Sequence, residues 1–367
     1  MQATQALHQM GQSLWLDNIT RTLLDDGTLA RYIAEDSITG LTSNPSIFDK
    51  AIGSGNAYDT GIRDGLGRGL SGEALFIDLA LDDLRRAAKL FEPAFAASSH
   101  MDGWVSMEVS PLLAGDTAGS IAAARRIHNQ AQCTNLLVKI PGTREGVPAI
   151  EEAIYAGVPI NVTLLFSAAQ YQAVAEAYMR GIERRLKVGL DPRVHSVASL
   201  FVSRWDVAAN PQLPEELHNQ LGIAVARQTY RAYRELLASP RWKKLAAAGA
   251  PVQRVLWAST GTKDPAAPDT MYVDALAAPD TINTIPDKTL LAFADHGTVG
   301  NAMPVDGGDA DAVVARIAAS GVDIDALAEK LQRDGAAAFV KSWKELLQRL
   351  VDKAGALDSG ASGRKSS

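Results

Sequence analysis

Asn135-Leu-Leu-Val-Lys-Ile-Pro-Gly142 is an apolar, strand-length run broken by one lysine and closed by Pro-Gly. Continuous hydrophobicity over so few residues reads as a strand covered on both faces, the condition of parallel strands packed under helices. An ammonium in the middle of such a strand is costly, because burial removes water from the charged form. A strand-end lysine can escape by returning its head to solvent along an extended stem, and taken alone the segment reads that way. A lysine that stays buried is biased toward the neutral amine, the form that adds to a carbonyl carbon. The residues around Lys139 decide between the two readings.

Outward from this strand, short apolar or β-branched runs alternate with helical periodicity, the pattern of parallel strands joined by crossover helices. Strands are expected at 13–17, 38–44, 104–109, 136–140, 159–166, 195–202, 254–259 and 281–285. Eight strands with intervening helices fit a closed (β/α)8 TIM-type barrel better than an open doubly wound sheet. Ser167-Ala-Ala-Gln170 has the form of a capping box, Asp116 or Thr117 caps the helix after strand three, and Ser71 opens another. The stretch between strands two and three has room for two extra helices. After strand eight, further helices are expected near 310–319, 324–333 and 336–353. Residues 1–355 read as one catalytic barrel domain, and the Gly/Ser-rich 356–367 as a disordered tail.

Composition excludes several classes. With 367 residues, 21% charged and 47% hydrophobic, the chain has the make-up of an ordinary soluble globule. A net charge of −6 and the lack of a polybasic run argue against nucleic acid as a partner. One cysteine, Cys133, allows no internal disulfide; it is expected as a buried structural thiol, and a reducing cytoplasm fits. No run of apolar residues is long enough to span a membrane, and no signal segment opens the chain.

In a (β/α)8 barrel, chemistry sits at the C-terminal ends of the strands, so polar residues in otherwise apolar strands are the informative ones. Nearly every strand supplies one: Asp17, then Thr42 with Ser43 and Asn44, Glu108, Lys139, Asn161 with Thr163, Ser199 with Arg204 just beyond, and Ser259. One such residue is usually a cap or a loop hydrogen-bonder. Seven strand ends converging on one mouth make a site. An amine, two carboxylates and several neutral hydrogen-bonders suit carbonyl chemistry through an imine, with Asp or Glu as acid and base.

Five runs carry a family resemblance. Gly40-Leu-Thr-Ser-Asn-Pro-Ser-Ile-Phe48, Val105-Ser-Met-Glu-Val109 with Asp116-Thr117, Leu137-Val-Lys-Ile-Pro141, Ile160-Asn-Val-Thr-Leu-Leu-Phe-Ser167 and Phe201-Val-Ser-Arg204 resemble the transaldolases, in order and spacing. The likeness spans about 13–297. It implies a TIM barrel with no metal or organic cofactor that transfers a dihydroxyacetone unit between sugar phosphates. The implied partners are fructose 6-phosphate, sedoheptulose 7-phosphate, glyceraldehyde 3-phosphate and erythrose 4-phosphate; homodimerisation is compatible with it. By the same resemblance, Lys139 is the Schiff-base lysine and Asp17 takes the C4 hydroxyl proton. Glu108 and Thr163 hold the water of carbinolamine dehydration. Asn44 and Asn161 bind hydroxyls of the three-carbon unit, Ser199 and Arg204 the phosphate, and Phe201 lines the site; Thr42 and Ser259 complete the binding set.

One departure stands out. Many transaldolases carry a second phosphate-binding arginine just after strand seven, where this chain reads Trp257-Ala-Ser-Thr-Gly-Thr-Lys263. Lys263 is the candidate substitute, although it lacks the bidentate fork of a guanidinium, and the segment points to a bacterial subfamily. Two other readings stay open: a fructose 6-phosphate aldolase-like enzyme that releases the three-carbon unit, and a catalytically inactive sugar-phosphate-binding barrel. Glu108 favours transfer, since the aldolases carry an amide at that place. Other motifs lead nowhere. Gly67-Arg-Gly-Leu-Ser-Gly72 follows no strand, Gly142-Thr-Arg-Glu-Gly146 lacks a P-loop ending, Asp306, Asp309 and Asp311 lack a calcium loop, and the six histidines form no HExxH.

Overall fold

The computed structural model describes residues 2–362. Eight parallel strands form one sheet: β1 (Gln12–Leu16), β2 (Ile38–Leu41), β3 (Val105–Glu108), β4 (Leu136–Pro141), β5 (Ile160–Leu165), β6 (Ser196–Phe201), β7 (Arg254–Ala258) and β8 (Thr281–Ile285). Their order is β2-β1-β8-β7-β6-β5-β4-β3. The two ends of that order meet where Gly103 N–H donates to Thr39 O and Leu41 N–H to Trp104 O, both at 2.9 Å. The sheet thus closes into the expected (β/α)8 barrel.

Alternation along each strand separates two cores. Leu14, Leu16, Val105, Met107, Val138, Ile140, Val162 and Leu200 pack outward against the helices. Trp15, Leu137, Val197, Leu256 and Ile282 pack with one another inside the barrel. Trp15 needs the space left by Gly40, where a Cβ would come within 2.7 Å of the indole and 2.8 Å of the Trp104 carbonyl. Overpacking a rigid site of this kind costs about 1–3 kcal/mol. Gly40→Ala is therefore expected to lower the melting temperature by several degrees, read by differential scanning calorimetry; an unchanged transition would mean that the indole can shift freely.

Local signals explain most helix starts. Asn44 caps Pro45–Gly53, accepting from Ile47 N–H at 3.2 Å with proline in the first turn. Asp116 caps Thr117–Ala131 through Gly119 N–H at 2.9 Å. Ser167 caps Ala168–Lys187, and Gln170 reaches back to the N–H of Phe166 at 2.7 Å, closing the box one residue earlier than the usual reciprocal bond. Ser71 does precede Gly72–Ala97, but its side chain makes no capping bond.

Several expectations are corrected. Three helices, not two, lie between β2 and β3: Pro45–Gly53, Asp59–Gly67 and Gly72–Ala97. The extra one is glycine-rich, which masks its periodicity, and the GxGxxG motif falls in the turn after it. Beyond β8, the helices Asp287–His296 and Ala310–Ala319 are followed by one continuous helix, Ile324–Ser362, where two were expected. Gly335 reads as a break, yet tertiary packing carries the helix through it. That helix also runs past 355, so 356–362 are helical; 363–367 lie outside the described residues. Cys133 is half-buried rather than buried.

The last helix crosses the C-terminal mouth. Gln332 Nε2 donates to the carbonyls of Gly142 and Leu164, both at 3.0 Å, tying the loop after β4 to the end of β5. Further along, Ser342 pairs with Ser46 at 2.9 Å and Arg349 with Asp49 at 2.6 Å, while Lys353 donates to the carbonyls of Ile52 and Gly55. No described helix is long and apolar enough to cross a membrane.

Candidate active site

Strand register places the central groups side by side. Glu108 of β3 is level with Lys139 of β4, which is level with Asn161 of β5. Inward-pointing neighbours on parallel strands stand about 5 Å apart, so the three polar heads are forced together inside an apolar barrel. Lys139 is only 5% exposed. Its amine donates to the Ser43 carbonyl at 2.8 Å and lies 3.5 Å from Glu108 Oε2. Burial pushes the Glu108 carboxyl above the ordinary carboxylate range, and the nearby Lys139 charge only partly offsets this. Among the described residues, neither Glu108 oxygen nor the buried Thr163 hydroxyl has a hydrogen-bond partner.

Asp17 closes β1, held by its backbone N–H on the Ile285 carbonyl at 2.8 Å. The Thr42 hydroxyl stands 2.9 Å from Asp17 Oδ1 and 2.7 Å from the Thr284 hydroxyl, joining the ends of β1, β2 and β8. Asp17 is half-open to the mouth, yet lost hydration raises its pKa; Lys139 and the Thr42 hydrogen bond pull the other way. Ser199 donates to Asn161 Oδ1 at 2.7 Å, and Asn161 Nδ2 reaches Ser106 Oγ at 3.2 Å, so the amide's orientation is fixed from both sides.

A cavity of about 270 Å³ opens above these groups, lined by Asp17, Thr42, Asn44, Lys139, Thr163, Ser199, Phe201, Arg204, Ser259 and Lys263. Ten of the twelve expected site residues thus share one cavity. Glu108 and Asn161, level with Lys139, do not line it; Glu108 borders a small neighbouring cavity walled by Phe48, Phe76 and Trp343. Three cations edge the mouth: Lys50, Arg204 and Lys263. Arg204 follows β6 in the helix Ser203–Ala209, and burial lowers its pKa while Glu108 acts to raise it. Ser259, at the end of β7, adopts a left-handed conformation with φ 57° and its hydroxyl meets that of Ser203 at 2.9 Å. Strain of this kind in a non-glycine residue persists where surrounding contacts over-determine it, often at sites.

A family model for "Transaldolase/Fructose-6-phosphate aldolase" matches residues 14–350. The chain belongs to the transaldolase/fructose-6-phosphate aldolase family. It is 43% identical to a transaldolase of Thermobifida fusca over 358 residues, covering 95% of this chain and 97% of that protein. A Frankia alni transaldolase is 44% identical over 359 residues, at 95% and 96% coverage, and a "Transaldolase 2" of Nostoc punctiforme 38% identical over 367, also at 95% and 96%. For a transaldolase-family barrel, the sequence reading of the site overlooked four contributors. The Ser43 carbonyl is a backbone group without a side-chain signature. Thr284 was legible as a polar residue inside an apolar strand. Lys50 and Phe339 carry no local mark at all, because only tertiary packing brings them to the mouth. Among the described residues no three His, Cys, Asp or Glu side chains gather as a metal ion would need.

Proposed function

We propose that this chain is a transaldolase that moves a dihydroxyacetone unit between sugar phosphates through an imine on Lys139. The observation that carries the reading is a buried amine between a carboxyl of raised pKa and a backbone carbonyl, under a mouth edged by cations. Glu108, 3.5 Å from the amine, takes its proton and frees the nucleophile. Nζ adds to the ketose C2 carbonyl, and Glu108 returns the proton to the departing hydroxyl as water leaves, with Thr163 positioned on the same side. The resulting iminium is an electron sink. Asp17 removes the C4 hydroxyl proton; the C3–C4 bond breaks, an aldose phosphate departs, and its electron pair remains in the enamine. The acceptor aldehyde then takes the unit in reverse order, giving ping-pong kinetics. Asn44 and Asn161 suit the hydroxyls of the three-carbon unit, and Ser199 and Arg204, with Lys263, the phosphate.

Fructose 6-phosphate and erythrose 4-phosphate mixed with the protein should give sedoheptulose 7-phosphate and glyceraldehyde 3-phosphate. Release of free dihydroxyacetone without an acceptor would point to an aldolase instead, and no turnover to an inactive barrel.

The phosphate assignment has its own test. A charge-assisted hydrogen bond contributes about 1.5–3 kcal/mol, or roughly 10–150-fold. Arg204→Ala should raise KM for phosphorylated substrates within that range, and Lys263→Ala less, since a lysine acts as a point charge. If Lys263→Ala leaves these kinetics untouched, the second contact comes from backbone amides at 260–262.

A further inference from the structure

Arg204 lines the mouth cavity, and among the described residues it makes no ion pair with a carboxylate. An arginine without an anionic partner would ordinarily sample many rotamers, and ordering it on binding would weaken affinity. Here two rings hold it. The guanidinium carbon lies 5.1 Å from the Phe201 ring centroid and 5.9 Å from that of Phe339. The rings themselves are 6.5 Å apart at 63°. Phe201 rises from β6, but Phe339 comes from the last helix, 135 positions after Arg204. It is only 6% exposed. One turn earlier on the same helix face, Gly335 leaves room for the guanidinium: a Cβ there would stand 3.0 Å from Arg204 Nη1 and 2.9 Å from Leu164 Cδ2. Gln332, a further turn portion back, pins the helix to Leu164 O and Gly142 O.

Aromatic faces against the guanidinium restrain its plane while leaving its in-plane N–H groups free to donate. We infer that Phe339 and Gly335 are positioning residues for phosphate recognition: the last helix sets the plane of Arg204, and through it the affinity for the phosphate end of the sugar, without entering the imine chemistry. The inference rests on reading Arg204 as the phosphate contact.

The test uses the full chain with Phe339→Leu, Phe339→Tyr and Gly335→Ala, beside Arg204→Ala. Three quantities are read: KM and kcat for fructose 6-phosphate, the inhibition constant of inorganic phosphate, and the rate at which borohydride traps dihydroxyacetone on Lys139. Cation–π contacts of this kind correspond to about 2–30-fold in affinity. Phe339→Leu should raise KM and the phosphate inhibition constant by that factor, with kcat changed less and trapping within about twofold. Phe339→Tyr should restore both. Gly335→Ala should weaken phosphate, because its Cβ would crowd Arg204 Nη1 at 3.0 Å, with trapping again changed less. An unchanged phosphate constant in both Phe339→Leu and Gly335→Ala, or trapping that falls in step with KM, overturns the inference. Should Arg204→Ala itself leave the phosphate constant unmoved, the phosphate reading of the proposed function fails first; if Arg204→Ala acts and the helix variants do not, only the positioning role is lost.

Discussion

Lys139→Met is expected to lower kcat roughly 10⁴–10⁶-fold, the scale on which loss of a covalent nucleophile acts in other enzymes. In the parent, borohydride with fructose 6-phosphate should leave a three-carbon adduct on Lys139 alone. Methionine keeps most of the buried stem, so packing survives, and the variant removes only the amine that donates to the Ser43 carbonyl and faces Glu108. It leaves Glu108 without its cation. A raised carboxyl pKa makes the folded state favour the protonated form, so the stability loss should be small in acid and grow as pH rises. Peptide mapping of the reduced adduct decides the matter: a mass shift on Lys50 or Lys263 would move the chemistry to the rim of the mouth.

Asp17→Asn and Glu108→Gln should each slow turnover by about 10²–10⁴, the usual share of general acid/base help. Asp17 adds a stability effect of opposite sign. Its folded pKa lies above its unfolded value because of lost hydration, so the carboxylate form destabilises the fold once pH exceeds the unfolded value, about 3.9. The amide cannot ionise and can still accept from the Thr42 hydroxyl, which stands 2.9 Å away. Asp17→Asn should therefore melt higher than the parent at neutral pH, with the difference vanishing in acid as the parent's carboxyl protonates. In the parent, the acid limb of kcat should sit above the ordinary aspartate range. Turnover within a few-fold of the parent would remove Asp17 from the proton-transfer role, and a lower melting temperature at neutral pH would mean that its carboxylate does not burden the fold.

What the sequence made legible, and what it hid, follows from where the physical information lies. The eight strands could be read because double burial writes continuous apolar runs, and Lys139, Glu108, Asn161 and Thr163 were visible as polar interruptions of them. Their mutual register was not visible: that Glu108, Lys139 and Asn161 stand level depends on ladder pairing between strands far apart in sequence. Helix caps were readable where a short polar side chain meets a nearby N–H, as at Asn44, Asp116 and Ser167. Gly335 misled, since a residue of poor helix propensity marks a break locally but here answers the crowding of Leu164 and Arg204. Which of these groups line the mouth was likewise hidden. Glu108 and Asn161 stand level with Lys139 yet do not line the mouth cavity as it does, a difference that no spacing encodes.

The bonds between the last helix and the segment after β2 join residues as far as 301 positions apart. They impose an order in time. All eight strands and Lys139 have been synthesised once Ile285 is added, whereas Phe339 lies 54 residues further on. At a usual pace of about 5–20 residues per second that interval lasts roughly 3–11 s. Over that interval the strands and Lys139 exist before the Phe339 ring that faces the Arg204 guanidinium. Completion of the mouth thus follows completion of the strands, and a chain cut short before Phe339 would lack the ring that faces the Arg204 guanidinium.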